Sequence, residues 1–280
     1  MPMSRYRIVV SAENTPYMAW QCKLFHYSCV TRLKTAPAFV VHEHDADWHD
    51  DFRDIVRAGG LVRSAPNYRV TACGWDYAPR NAPGTLMHAE EVCDGEEFIV
   101  LCDPDMLFVR RPRFPRTLSG DYYPYMDYDQ PAVRRAALAF GVSQKDLDAR
   151  KGGLSFGVPH VIPRASLRLM AETWMEAVDA FRPELWEISM YAFGLAAIRL
   201  GLPVKLTAFN DYNFWPRRAL KRDMIHYCYA DPLWRKYDYM DAARARQVWV
   251  SAPKVPRRSV LGEIVAQLHE AHDFYRRPSL

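Results

Sequence analysis

Two carboxylates one residue apart, Asp103 and Asp105 with Pro104 between them, close the apolar run Phe98-Ile-Val-Leu-Cys102. Five apolar residues in a row read as a strand buried on both faces. In an open α/β sheet such a strand delivers the next residues to the carboxyl edge, where ligands collect. A proline-stiffened aspartate pair at that edge is a hard-oxygen site suited to Mg or Mn, which in turn asks for a partner bringing negative charge, typically a diphosphate. A strand-end turn with capping aspartates is the plainer alternative. His226, in the run Met224-Ile-His-Tyr-Cys-Tyr229, is a further candidate metal ligand, or else a hydrogen-bonded core histidine. Lys236 and Arg80 are candidate phosphate clamps, or else solvated surface charges.

The elements that must position these groups can be read from periodicity and punctuation. Strands are expected at Tyr6–Ala12, Phe39–His42, Leu61–Arg63 and Phe98–Cys102. Between them lie helices beginning at Pro16 and running to about Arg32, at Trp48–Ala58 (stopped by Gly59-Gly60) and at Thr85–Cys93, with an irregular segment at Pro66–Pro83. This alternation predicts a largely parallel central sheet flanked by helices. Further on, Gly120–Tyr128 reads as strand-like, Pro131–Phe140 as a helix and Leu154–Ile162 as a strand pair or hairpin. Ser166–Phe181 and Leu185–Leu200 read as helices, Val204–Ala208 and Asp223–Tyr229 as strands, and Leu261–Arg276 as a final amphipathic helix. Evenly spread prolines and the lack of a flexible linker favour a single domain, 1–280. Within it, 1–105 would form a nucleotide-binding half, 106–250 an acceptor and sugar half, and 251–280 a C-terminal helix.

Composition limits the function classes. With 280 residues, 49% hydrophobic and 25% charged, the chain has the make-up of an ordered globular protein. No apolar run approaches a membrane span, and Met1–Asn14 lacks the apolar core of a signal peptide. Six cysteines stand singly, at 22, 29, 73, 93, 102 and 228, without the spacing of a zinc ribbon or a disulfide framework. A reduced, cytoplasmic protein without a membrane anchor is the expectation. The net charge of +4 suits an anionic ligand without requiring nucleic acid.

Two other clusters resemble sites and fail on spacing. His42-Glu-His-Asp-Ala-Asp-Trp-His-Asp50 lacks the order of a metallo-β-lactamase motif and reads as a polar strand-to-helix loop. His269-Glu-Ala-His272 sets its histidines three apart, not four as in a zinc-protease helix. Paired arginines at 110–111, 134–135, 217–218, 257–258 and 276–277 read as solvated surface, although they could track a phosphate backbone. Tyr122, Tyr123, Tyr125 and Tyr128 read as packing residues that could also stack a sugar or base.

An Asp-x-Asp after an apolar strand occurs in haloacid dehalogenase-type phosphohydrolases on the first strand, and in GT-A glycosyltransferases after about a hundred residues. Here it comes after three earlier strands, as in the second class. In order along the chain stand Pro16-Tyr-Met-Ala-Trp-Gln21, Arg80-Asn-Ala-Pro83, Asp103-Pro-Asp105, Gly157-Val-Pro-His-Val-Ile162, Trp186-Glu-Ile-Ser-Met-Tyr-Ala192 and Met224-Ile-His-Tyr227, then Trp234 and Lys236. This succession resembles the plant and algal hydroxyproline O-arabinosyltransferases and peptidyl-serine galactosyltransferases, over about Arg5 to Tyr237. The resemblance implies a GT-A (Rossmann-like) fold, a UDP-sugar donor, Mn or Mg, and transfer to a hydroxyl with retained anomeric configuration. It places metal ligands at Asp105 and His226, with Asp103 on metal or ribose, and a close backbone approach to the donor sugar at Gly153. Glu13 and Asn14, after the first strand, and Asn81 beside Arg80 would meet the nucleotide. Trp186, Glu187 and Ser189 would border sugar and acceptor. Ser189 stands where the family carries Glu, and Glu187 lies about 200° around an ideal helix from it. Two other functions stay open: a glycosyltransferase acting on a hydroxylated base in DNA, and a non-catalytic sugar-nucleotide-binding protein.

Overall fold

The computed structural model describes residues 5–43, 47–230 and 232–276. Along them run β1 (Tyr6–Glu13), α1 (Pro16–Ser28), β2 (Ala38–Glu43), α2 (Asp50–Arg57), β3 (Leu61–Pro66), α3 (Asn81–His88), β4 (Phe98–Cys102), β5 (Met106–Phe108) and β6 (Ser119–Tyr122). Next come α4 (Pro131–Ala139), α5 (Gln144–Arg150), β7 (Phe156–Pro163), α6 (Leu167–Asp179), α7 (Ile188–Arg199), β8 (Lys205–Thr207), β9 (Asn210–Tyr212), β10 (Met224–His226), α8 (Ala242–Ala245) and α9 (Val260–Arg276). The central sheet has the order β3-β2-β1-β4-β7-β6-β8, and β5-β10-β9 form a small second sheet. Parallel pairing of β1 with β4, and of β6 with β8, bears out the α/β alternation. β7 runs antiparallel to both β4 and β6.

The chain divides into two interleaved compact units. One takes the residues through Ser11, then Ala65–Cys102 and Phe114–Ala208; the other takes Ala12–Ser64, Asp103–Arg113 and the chain from Phe209. In the first, β4 is buried at all five positions and packs edge to edge with β7. α7 lays Phe193 against His160 of β7, with ring centroids 4.1 Å apart, and α6 adds Trp174 at 4.7 Å from Phe193.

In the second unit, α1 starts at Pro16 behind Thr15, whose hydroxyl accepts from the Met18 amide at 3.2 Å. Ten consecutive residues from Ala19 to Ser28 are buried, so this helix has no solvent face. Around it gather Leu107 of β5, Ile225 of β10 and Val260, Leu261, Ile264 and Leu268 of α9. α2 ends as the Gly59-Gly60 pair predicts. Gly59 has φ +81°, Gly60 donates to the Ile55 carbonyl at 2.9 Å, and a Cβ on Gly60 would meet Ile55 Cγ2 at 2.4 Å.

Several local expectations are corrected. The strand expected over Gly120–Tyr128 covers only Ser119–Tyr122; Pro124 comes next but one, and Tyr123 and Tyr128 turn into the core. Leu154–Ile162 is not a hairpin but the single strand β7. The helix expected at Thr85–Cys93 starts at Asn81 and gives way to a 3₁₀ turn at Ala89–Val92. The final helix expected at Leu261–Arg276 is α9, one residue longer at its start. α5 carried a readable signal, Ser143 ahead of Asp146, and the Ser143 hydroxyl accepts from the Asp146 amide at 3.1 Å. β5 and β9, three residues each, are too short for alternation to reveal. Within the described residues no helix is long and apolar enough to cross a membrane, and all six cysteines are free thiols.

Candidate active site

Pairing of two short strands brings the chemistry together inside the second unit. β5 begins immediately after Asp105 and lies antiparallel to β10, with His226 opposite Met106 and Ile225 opposite Leu107. The Tyr227 amide donates to the Asp105 carbonyl at 3.0 Å, which extends the ladder by one bond. The imidazole of His226 therefore stands against the aspartate loop: its Nε2 lies 3.2 Å from Asp105 Oδ1 and 4.0 Å from Asp103 Oδ2. Asp103, Asp105 and His226 each offer a ligand atom, and the three atoms lie within 4.8 Å of one another.

Lys236 completes the cluster. It opens a 3₁₀ turn, Lys236–Tyr239, shortly after Trp234, a member of the core around α1. Its ammonium pairs with Asp105 Oδ2 and faces the rings of Tyr17, at 5.9 Å, and Tyr237, at 5.1 Å. Both partners are buried, with 9% of the Lys236 side chain and 8% of the Asp105 side chain in solvent, so Lys236 is not a solvated surface charge. Asp103 is the open member, with 42% of its side chain exposed.

Ionisation reflects this layout. Burial alone would raise Asp105, but Lys236 and His226 outweigh it and hold the carboxyl well below its usual range. Asp103 goes the other way: although part of its side chain meets solvent, desolvation of the carboxyl group by the protein packed around it and the Asp105 charge push it up to about 6. Against the burial that opposes them, Cys228 and Asp105 hold His226 above its ordinary value, and Asp105 and Tyr17 do the same for Lys236. Burial pushes the Tyr17 phenol up to about 12. Nothing local in the sequence marks the parts that Tyr17 and Cys228 take in this environment.

Glu13 and Asn14 lie where β1 ends, in the same unit as the cluster. The Asn14 side chain donates to Glu43 Oε2 and to the Asp47 carbonyl, each at 3.2 Å, and accepts from the His49 amide at 2.9 Å, closing the loop between β2 and α2. His49 caps α2 by accepting from the Asp51 amide. His44, Asp45 and Ala46 of the polar stretch 42–50 lie outside the described residues, as does Arg277 of the last arginine pair.

The remaining candidates belong to the first unit. Arg80 forms a two-pronged ion pair with Asp179, at 2.9 and 2.7 Å, and donates to the Tyr68 carbonyl at 2.6 Å. Asn81 accepts from the Tyr68 amide at 2.7 Å. Glu187 is the residue before α7, not part of it, so the angle of an ideal helix does not describe its relation to Ser189. Ser189 is buried: its amide donates to the Tyr77 hydroxyl at 2.8 Å, its hydroxyl to the Pro79 carbonyl at 3.3 Å, and its carbonyl accepts from Trp174 Nε1 at 2.7 Å. Trp186 beside them is 71% exposed. Gly153 lines a cavity of about 480 Å³ with Arg150, Leu154 and Gly201, and a Cβ there would meet nothing within 4 Å.

No protein-family model matches the chain. Among curated proteins it is similar to the hydroxyproline O-arabinosyltransferases NOD3 of Pisum sativum (24% identical over 247 residues) and PLENTY of Lotus japonicus (24% over 247). RDN1 of Medicago truncatula, with the same kind of name, is 24% identical over 242 residues. Each alignment takes in 81% of this chain, which spans 70%, 64% and 65% of the three relatives' lengths. Among solved structures it superposes on the galactosyltransferase LgtC in complex with donor and acceptor sugar analogues, with a TM-score of 0.52 at 16% identity, over 89% of this chain and 97% of that one. The fold is that of a GT-A glycosyltransferase. An active-site variant of LgtC matches equally well, with a TM-score of 0.51. Asp103 and Asp105 follow β4 directly in the chain, and His226 of β10 stands beside them.

Proposed function

We propose that this chain is a metal-dependent glycosyltransferase that moves a sugar from a UDP-sugar to an acceptor hydroxyl, with retention of anomeric configuration, in the cytoplasm. The observation that carries the reading is the approach of Asp103, Asp105 and His226 to within 4.8 Å of one another. Two carboxylate oxygens and an imidazole nitrogen, one of them open to solvent, form a donor set that fits Mn or Mg. Bound there, the ion would offset negative charge on a diphosphate leaving group, worth on the order of several kcal/mol in the transition state.

The chain's own residues supply the rest. Asp105, held ionised, is the fixed anchor; Asp103, at the open side, adds its charge as it loses its proton. Lys236 stays protonated through the neutral range and sets a positive charge beside the phosphates, where little water screens it. Glu13 and Asn14 border the nucleotide. Arg80 and Asn81 act at one remove by fixing the segment around Tyr68. Gly153 leaves backbone open toward the donor sugar. Glu187 and Ser189 border the sugar and acceptor; the Ser189 hydroxyl, bonded to Pro79, acts as a positioning group in place of a carboxylate.

Calorimetric titration with UDP tests the reading. UDP should bind at least tenfold more tightly with manganese present, and Asp105→Ala should erase that gain. Binding indifferent to manganese, or unchanged by the substitution, would contradict it. Metal-dependent release of UDP across a panel of UDP-sugars then identifies the donor.

A further inference from the structure

From the aspartate cluster a row of aromatic rings leads out to solvent. Tyr212 of β9 lies 5.9 Å from the His226 ring, Tyr229 lies 6.0 Å from Tyr212, Phe214 lies 5.6 Å from Tyr229, and Trp215 lies 5.1 Å from Phe214. The outer two are 58% and 53% exposed. With Pro216, Arg217 and Arg218 they line a cavity of about 480 Å³, a volume that suits a mono- or disaccharide. The Arg218 guanidinium sits 5.3 Å from the Trp215 ring centre.

Unpaired charge at this edge has one sign. Arg217, Arg218, Lys221, Arg222, Arg257 and Arg258 are exposed, and none forms an ion pair among the described residues. The two stretches are joined: Ala219 bridges to Ser259, and the Val260 amide donates to the Arg218 carbonyl at 2.9 Å. The acids close in sequence are already engaged. Asp211 accepts from the amides of Lys221 and Arg222, and Asp223 pairs with Arg110. Exposed rings beside unpaired guanidinium groups suit a ligand that has a flat, C–H-rich face and negative charge.

We propose that the Phe214–Arg218 pocket is the acceptor subsite and that it takes an acidic saccharide. The sugar face lies on Trp215 and Phe214, and the carboxylate or phosphate lies on Arg217 and Arg218. This rests on the glycosyltransferase reading above.

Calorimetry on the full chain tests it, with digalacturonate, maltose 6′-phosphate and neutral cellobiose as probes. Carboxylate or phosphate, at least one acidic disaccharide should bind tenfold or more tightly than cellobiose, and the tighter of the two names the acidic group. Trp215→Ala should weaken that binding at least tenfold, as should Arg217→Glu combined with Arg218→Glu. Equal affinity for cellobiose, or a preference for the acidic disaccharide that survives the arginine changes, would overturn the proposal. So would binding confined to vesicles of phosphatidylglycerol and phosphatidylcholine, which would make the patch a membrane contact. Titration of the same samples with UDP and manganese separates the two ideas. UDP binding without saccharide binding overturns the subsite alone, whereas saccharide binding without UDP binding removes the subsite's role in transfer.

Discussion

At the scale of single residues, the site is a balance of charges in which Lys236 counts as much as the carboxylates. Removing one member of a buried ion pair leaves the other charge uncompensated, at about 3–5 kcal/mol. Lys236→Met should therefore lower unfolding stability, by less than that amount because His226 still stands 3.2 Å from Asp105. Manganese should raise the melting temperature of the variant more than that of the parent, because the ion replaces the missing positive charge next to Asp105. Equal shifts in thermal unfolding with and without manganese chloride would show that Lys236 and the ion do not share the carboxylate. The aspartates were legible because a five-residue apolar strand leads into them. The burial of Lys236 was not, since a lysine in a polar stretch gives no local sign of a carboxylate more than a hundred positions earlier. Arg80 teaches the same lesson in reverse: its partner Asp179 lies in α6, and nothing near Arg80 in sequence announces it.

At the scale of elements, β5 is the hinge between core and chemistry. It has three residues, all buried, and the carbonyl of its last one, Phe108, accepts from Gln267 Nε2 of α9 at 3.0 Å. Gln267→Leu leaves that buried carbonyl without its donor, a loss of about 1–3 kcal/mol. Chemical denaturation should report a drop of this size, and manganese affinity should fall with it, because β5 starts one residue after Asp105. A variant with lower stability and unaltered metal affinity would uncouple α9 from the site. The long helices and β4 were readable from periodicity. β10 falls inside the strand expected at Asp223–Tyr229, whereas β5 and β9 were not readable, because a three-residue strand takes its identity from its partners and not from alternation.

For the molecule as a whole, two buried histidines set the acid limit. Burial lowers His26 to about 4 and His160 to about 3. Unfolded, each would protonate near pH 6.5. Between that value and the folded one the unfolded chain binds the extra proton, so stability falls as the pH falls, by about 1.4 kcal/mol per pH unit for each histidine. His160→Phe removes one of the two terms. Unfolding curves from pH 6.5 down to about 3 should show the parent losing stability relative to the variant at about that slope; parallel curves would mean that His160 is charged in the fold. Asp103, raised in the fold, pulls in the opposite sense between about pH 4 and 6, so the parent's own profile is shallower than the histidines alone would make it. The fold class was legible at this scale from strand–helix alternation. The antiparallel course of β7 was not, since a buried strand presents the same residues in either direction.

The division of the chain has a consequence for its synthesis. The polypeptide leaves one compact unit at Cys102, enters the other at Asp103, and leaves again after Arg113. His226 and Lys236 emerge from the ribosome more than a hundred residues later. Until then the two aspartates have neither imidazole nor ammonium beside them, and β5 has no strand to pair with. A nascent chain halted between Arg113 and His226 would carry the acids without either counter-charge, and the cluster becomes whole only once Lys236 has been made.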